Sequence, residues 1–164
     1  MMMLKIVLCL LFVSIPGLSQ TTAQLDRVKK DAVQFQGEIN DLIAGAPGIL
    51  VLQSAKATYL DMYGVVVTVE VALERPRNPF SASRSPEELR TVVSERRQQV
   101  QTRLSTFLKQ RVPSLESIGA AQSVTVIVHL MNTNPADVPN LPSQLIFSVK
   151  KQDAASSQIQ VREF

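Results

Sequence analysis

With 164 residues, 17 Lys and Arg against 14 Asp and Glu, and a formal net charge of +3, the chain has the size of one domain and too little basic excess to argue for nucleic-acid binding. Aromatic residues make up 5% of it and tryptophan is absent, which argues against stacking platforms for bases or sugars. The single cysteine, Cys9, rules out an internal disulfide framework.

The first element in chain order is an export signal. Lys5 precedes an apolar run from Ile6 to Val13 that continues through Ile15, Pro16 and Gly17 to Leu18, and small polar residues follow. A retained membrane anchor would need about 20 consecutive apolar residues, and this run is shorter and interrupted by Pro16 and Gly17. Cleavage is expected after Ala23, with Ser19 as the second position. Leu8 stands where a lipoprotein signal needs a small residue before its cysteine, so lipidation of Cys9 is not expected. Removing 1–23 leaves about 140 residues, lowers the formal charge to +2 by taking Lys5, and discards Cys9. The mature domain then folds without a disulfide, on packing and backbone pairing. The implied destination is the bacterial periplasm or the extracellular space, with no transmembrane span in the mature chain.

From Leu25 to Ile43, the residues Leu25, Val28, Ala32, Phe35, Ile39 and Leu42 recur at spacings of three and four, and Gly45, Pro47 and Gly48 end the run. This is an amphipathic helix, too short for a sustained coiled-coil seam. Strand candidates Ile49 to Leu60 and Val65 to Leu73 follow, flanking Asp61-Met62-Tyr63-Gly64. A three-residue loop with Gly64 at its left-handed position sets Tyr59 opposite Val67, Ala57 opposite Val69 and Ala55 opposite Val71. Lys56 then faces Glu70 on the polar side.

After a loop containing Pro76 and Pro79, Ser85-Pro86-Glu87-Glu88 carries the signature of a capping box with proline in the first turn. The second helix is predicted to run to about Arg111, ahead of Pro113, on a stripe of Leu89, Val93, Val100, Leu104, Phe107 and Leu108. Ser123 to Met131 alternates Val124, Val126, Val128 and Leu130 with the intervening residues, as a strand does. A proline-rich loop from Asn132 to Ser143 precedes a strand marked by Leu145, Phe147 and Val149. Residues 154–164 read as a flexible tail or a short edge strand with Ile159 and Val161. The resulting fold class is α+β: one domain over 24–153, order α-β-β-α-β-β with a possible final edge strand. Its antiparallel or mixed sheet is covered mainly on one face by two helices. The second sheet face, with Ile127, Met131 and Ile146, is the one left partly exposed.

No catalytic, cofactor or metal motif emerges. His129 is the only histidine and has no evident partners, and the mature chain lacks the residues for a histidine- or cysteine-rich zinc site. Asn132, Asn134, Asp137 and Asn140 offer oxygens with one carboxylate among them, which suits turn formation better than calcium. Ser148-Val149-Lys150-Lys151 has the serine-to-lysine spacing of some acyl-transfer enzymes without their companion motifs. Phe164 ends the chain as outer-membrane strands do, but the predicted strands are too few for a barrel. Arg90, Arg97 and Arg103 on the second helix are the candidate surface for an anionic partner such as lipid, glycan or acidic protein. These observations point to an exported, non-enzymatic binding or envelope-assembly module, with an envelope protein or a second copy as partner. The alternatives are a surface-associated anion or membrane binder using the basic helix and, last, a hydrolase built on His129.

Overall fold

The computed structural model describes residues 18–74 and 84–164, with side chains from Thr22 onward. The expected signal up to Gly17 and the Pro76 and Pro79 loop lie outside the described residues. Helix α1 spans Leu18–Ala44 and buries Val28, Ala32, Phe35, Ile39 and Ile43. The stripe therefore ends on Ile43, while Leu42 is half-buried and Leu25 remains 41% exposed. None of Thr22 to Arg27 is buried, so cleavage after Ala23 would leave the packed part of α1 whole.

Strands β1 (Leu50–Leu60) and β2 (Gly64–Ala72) form the expected hairpin. Its register is displaced by two residues: Tyr59 pairs with Val65 and Ala57 with Val67, around a loop of Asp61, Met62 and Tyr63. The reason lies in the turn. Met62, at φ 63°, takes the left-handed conformation assigned above to Gly64, and the Asp61 carboxylate accepts its N–H at 3.0 Å. Gly64, at φ 125°, serves a different need, because a Cβ there would run into the Ser123 carbonyl oxygen of the neighbouring strand. A shift of two preserves the face of every side chain, which is why the apolar pattern could not detect it. The displaced register sets Lys56 opposite Thr68, and beyond it β1 carries two irregularities that set Glu70 opposite Gln53. The Lys56–Glu70 pair expected from sequence does not form.

Helix α2 spans Pro86–Arg111 and opens as its sequence specifies. The Ser85 hydroxyl accepts from the Glu88 N–H at 3.2 Å and the Glu88 carboxylate accepts from the Ser85 N–H at 2.8 Å. Both bonds hold the pKa of Glu88 below the ordinary carboxylate value, the Ser85 backbone N–H contributing most. Leu89, Val93, Val100, Leu104 and Leu108 are buried, and the Phe107 ring stacks on Phe35 with centroids 5.5 Å apart. The helix ends in a 3-10 turn, Val112–Ser114.

Strands β3 (Ser123–Met131), β4 (Gln144–Lys150) and β5 (Gln160–Glu163) complete a mixed sheet in the order β1-β2-β3-β4-β5. The pair β2–β3 is parallel and the others antiparallel. The parallel pair is the one joined through α2, since a parallel connection needs a long crossover. Of the two alternatives for 154–164, the edge strand is present, and Ala154 and Ile159, which precede it, are buried in the core. Although the order helix-strand-strand occurs twice, β1 lies at the sheet edge while β3 lies at its centre. The two halves are thus not placed alike.

Both helices cover the face carrying Val65, Val67, Val69, Val126, Val128, Leu145 and Phe147, all buried. At the β1 edge, α1 does more than pack. Asn40 Oδ1 accepts the Ala55 N–H at 2.7 Å and Gln36 Oε1 accepts the Ala57 N–H at 2.9 Å. These backbone groups point away from β2, so two amides one helical turn apart occupy donors that would otherwise offer a free edge.

Candidate functional site

Seven residues separate Arg90 from Arg97, two turns of α2, so both project from the same side about 10 Å apart along the axis. Arg103 is turned away. Its Nη1 donates to the Gly45 carbonyl at 3.3 Å, and it borders a small crevice with Ile43 and Leu104. The candidate surface therefore divides: Arg90 and Arg97 share a groove and Arg103 does not.

That groove runs between α2 and the 132–143 loop, with a volume of about 420 Å3, and is lined by Val93, Val138, Pro139 and Leu141 together with Ser94, Asn140 and the two arginines. The loop's asparagines shape it. Asn132 Nδ2 donates to the Val138 carbonyl at 2.7 Å, while its Oδ1 accepts the Asn134 N–H at 3.1 Å. Thr133 ties the loop to the end of β2 through the Glu74 carbonyl at 3.1 Å. Each arginine is held by one acceptor. Arg90 Nε donates to the Asp137 carbonyl at 2.7 Å, and Arg97 Nη1 lies 3.4 Å from a Glu163 oxygen whose partner oxygen accepts from Gln101 at 2.6 Å. With five N–H donors on a guanidinium, such anchoring leaves donors for a ligand.

A second groove, of about 870 Å3, lies where α1 passes the end of α2 and includes Arg27, Lys30 and Arg111 with Asp31 and Glu116. Two of its five charged residues are engaged. Arg111 Nε donates to Glu38 at 2.6 Å, and Asp31 accepts from the Ser117 hydroxyl at 2.6 Å. Partial burial works to raise the Glu38 pKa, but the Arg111 and Gln34 hydrogen bonds and the Arg111 charge together bring it below the ordinary value. Arg96 is likewise structural: it donates to the Leu73 carbonyl at 2.7 Å and to Glu74 at 2.6 Å.

On the uncovered sheet face the register aligns Gln53, Glu70, His129 and Gln144 in one row. A carboxylate thus stands beside the histidine, but neither side chain makes a hydrogen bond among the described residues. The next row is Lys56, Thr68, Ile127, Ile146 and Arg162, and the one beyond contains Thr125 and Ser148. Those two hydroxyls are 3.0 Å apart and lie four residues, about 13 Å, along β3 from His129. Tyr63 closes that end, its hydroxyl 2.7 Å from Thr125 Oγ1. Ser148 is therefore engaged with Thr125, and Lys151 Nζ donates to the Ile118 carbonyl at 2.8 Å. Among the described residues no group of three His, Cys, Asp or Glu converges as a metal site would require.

Comparison with family models, curated proteins and solved structures finds no match to this chain. The groove floor was not identified from the sequence. The signals available were the long proline-rich loop and the i, i+7 spacing of Arg90 and Arg97, but only folding brings Val138 and Leu141 to Val93.

Proposed function

We propose that this protein is an exported, non-enzymatic binding or assembly module whose working surface is the groove between α2 and the 132–143 loop. One observation carries the reading: an apolar-lined groove of about 420 Å3 with Arg90 and Arg97 beside it, within the size range of ligand sites. Against the hydrolase alternative, Ser148 lies four residues along the sheet from His129 and is held by Thr125, and neither His129 nor the Glu70 carboxylate beside it is hydrogen-bonded to a hydroxyl among the described residues. Division of the basic residues between opposite sides of α2 also favours a local site over a broad membrane-binding face.

Site-specific photocrosslinking in the producing cell tests the reading. A crosslinker at Ser94 or Asn140 is expected to capture a partner, while one at Thr58 on the opposite sheet face does not; the reverse pattern refutes the groove. Export is checked separately by N-terminal sequencing of the extracytoplasmic form, which is expected to begin at Gln24. Retention of Met1 in cytoplasmic protein refutes export.

A further inference from the structure

We propose that the groove binds an acidic, extended polypeptide segment carrying two carboxylates three residues apart, with an apolar side chain between them. This deepens the reading above and rests on it. Arg90 and Arg97 stand about 10 Å apart along α2. In a polyproline II backbone, residues i and i+3 lie on one edge, separated by about 9 Å, which matches the spacing of the two arginine positions along the helix. The adjacent edge then faces Val93, Val138 and Leu141.

The acceptors already in place are of the kind such a segment offers: a backbone carbonyl, from Asp137, at Arg90 and a carboxylate, from Glu163, at Arg97. Glu163 is an incomplete occupant. Its 3.4 Å separation from Arg97 exceeds that of a tight charge-assisted bond, while Gln101 holds its other oxygen at 2.6 Å. An incoming carboxylate therefore competes with Glu163 for Arg97, and neutralising Glu163 strengthens binding. An anionic membrane is the less fitting occupant, because Arg103 is turned away to the Gly45 carbonyl and leaves two arginines beside a groove rather than a broad basic face.

The probe is a blocked, fluorescein-labelled peptide repeating glutamate, proline and leucine, titrated with the purified chain by fluorescence anisotropy. Combined Arg90→Gln and Arg97→Gln is expected to weaken binding about tenfold or more, and Glu163→Gln to tighten it about threefold, with both effects smaller at high salt. Unchanged melting profiles confirm that these variants fold. Binding indifferent to the arginine substitutions, or weakened by Glu163→Gln, overturns the proposal. So does Arg90- and Arg97-dependent sedimentation with phosphatidylglycerol vesicles without peptide binding. If a glutamine-for-glutamate peptide binds equally well and Leu141→Ser abolishes it, acidic recognition is wrong while the groove reading stands. Failure of both peptides together with absent crosslinks from Ser94 and Asn140 removes the groove reading itself.

Discussion

Replacing Asn40 by alanine tests whether α1 closes the β1 edge through specific hydrogen bonds or merely rests against it. Asn40 Oδ1 accepts the N–H of Ala55, a residue 1% exposed. Leaving a buried backbone donor unpaired costs about 1–3 kcal/mol, and the higher helix propensity of alanine returns up to about 0.7 kcal/mol. A net loss of about 1–2 kcal/mol is expected. For a domain of this size that lowers Tm by about 2–8 °C. Gln36→Ala should cost less, since Ala57 is only half-buried. Urea denaturation supplies the free energies, and amide exchange supplies the discriminating readout. The Ala55 N–H should exchange faster in Asn40→Ala and the Ala57 N–H in Gln36→Ala, with β3 amides exchanging locally as before. Asn40→Asp retains an acceptor and should restore protection. Stability equal to the parent within about 0.3 kcal/mol, with no selective change at Ala55, would refute the reasoning.

Gly64→Ala should destabilise by more than about 2 kcal/mol through its collision with the Ser123 carbonyl and the unfavourable φ, whereas Met62→Gly should be neutral or stabilising by up to about 1 kcal/mol. Opposite signs in chemical denaturation would contradict the observed turn. Glu38 has a folded-state pKa below its ordinary value of 4.5, so its stabilising contribution is present above that value and is lost as pH falls through the folded one. Glu38→Gln should accordingly lose less stability than the parent on acidification below pH 4.5, measured as the midpoint of urea unfolding against pH; identical slopes would exclude the Arg111 pair as the cause. Phe35→Ala removes a fully buried ring stacked on Phe107 and should cost about 3–5 kcal/mol. A loss below about 1 kcal/mol in the same assay would mean that the core does not depend on this stack.

Local rules carry much of the architecture. Ser85, Pro86 and Glu88 contain within four residues everything needed to start α2, and the alternation from Val124 to Leu130 defines β3 because a strand's side-chain period is two. The hairpin marks the limit of that reasoning. Its face assignment holds, but the pairing differs by two residues, because alternation is blind to even shifts and Gly64 answers to Ser123, which is 59 positions away in sequence.

The same distinction governs the candidate site. The sequence by itself determined two amphipathic helices, the strand faces, and the presence of Arg90, Arg97 and Arg103 on one helix. Tertiary structure decided that β2 and β3 run parallel, that Gln36 and Asn40 seal an edge, and that Arg90 and Arg97 flank an apolar groove from which Arg103 is absent. The physical reason is range: periodicity and capping act over one or two turns, whereas a groove or a sealed edge requires groups from separate segments to meet.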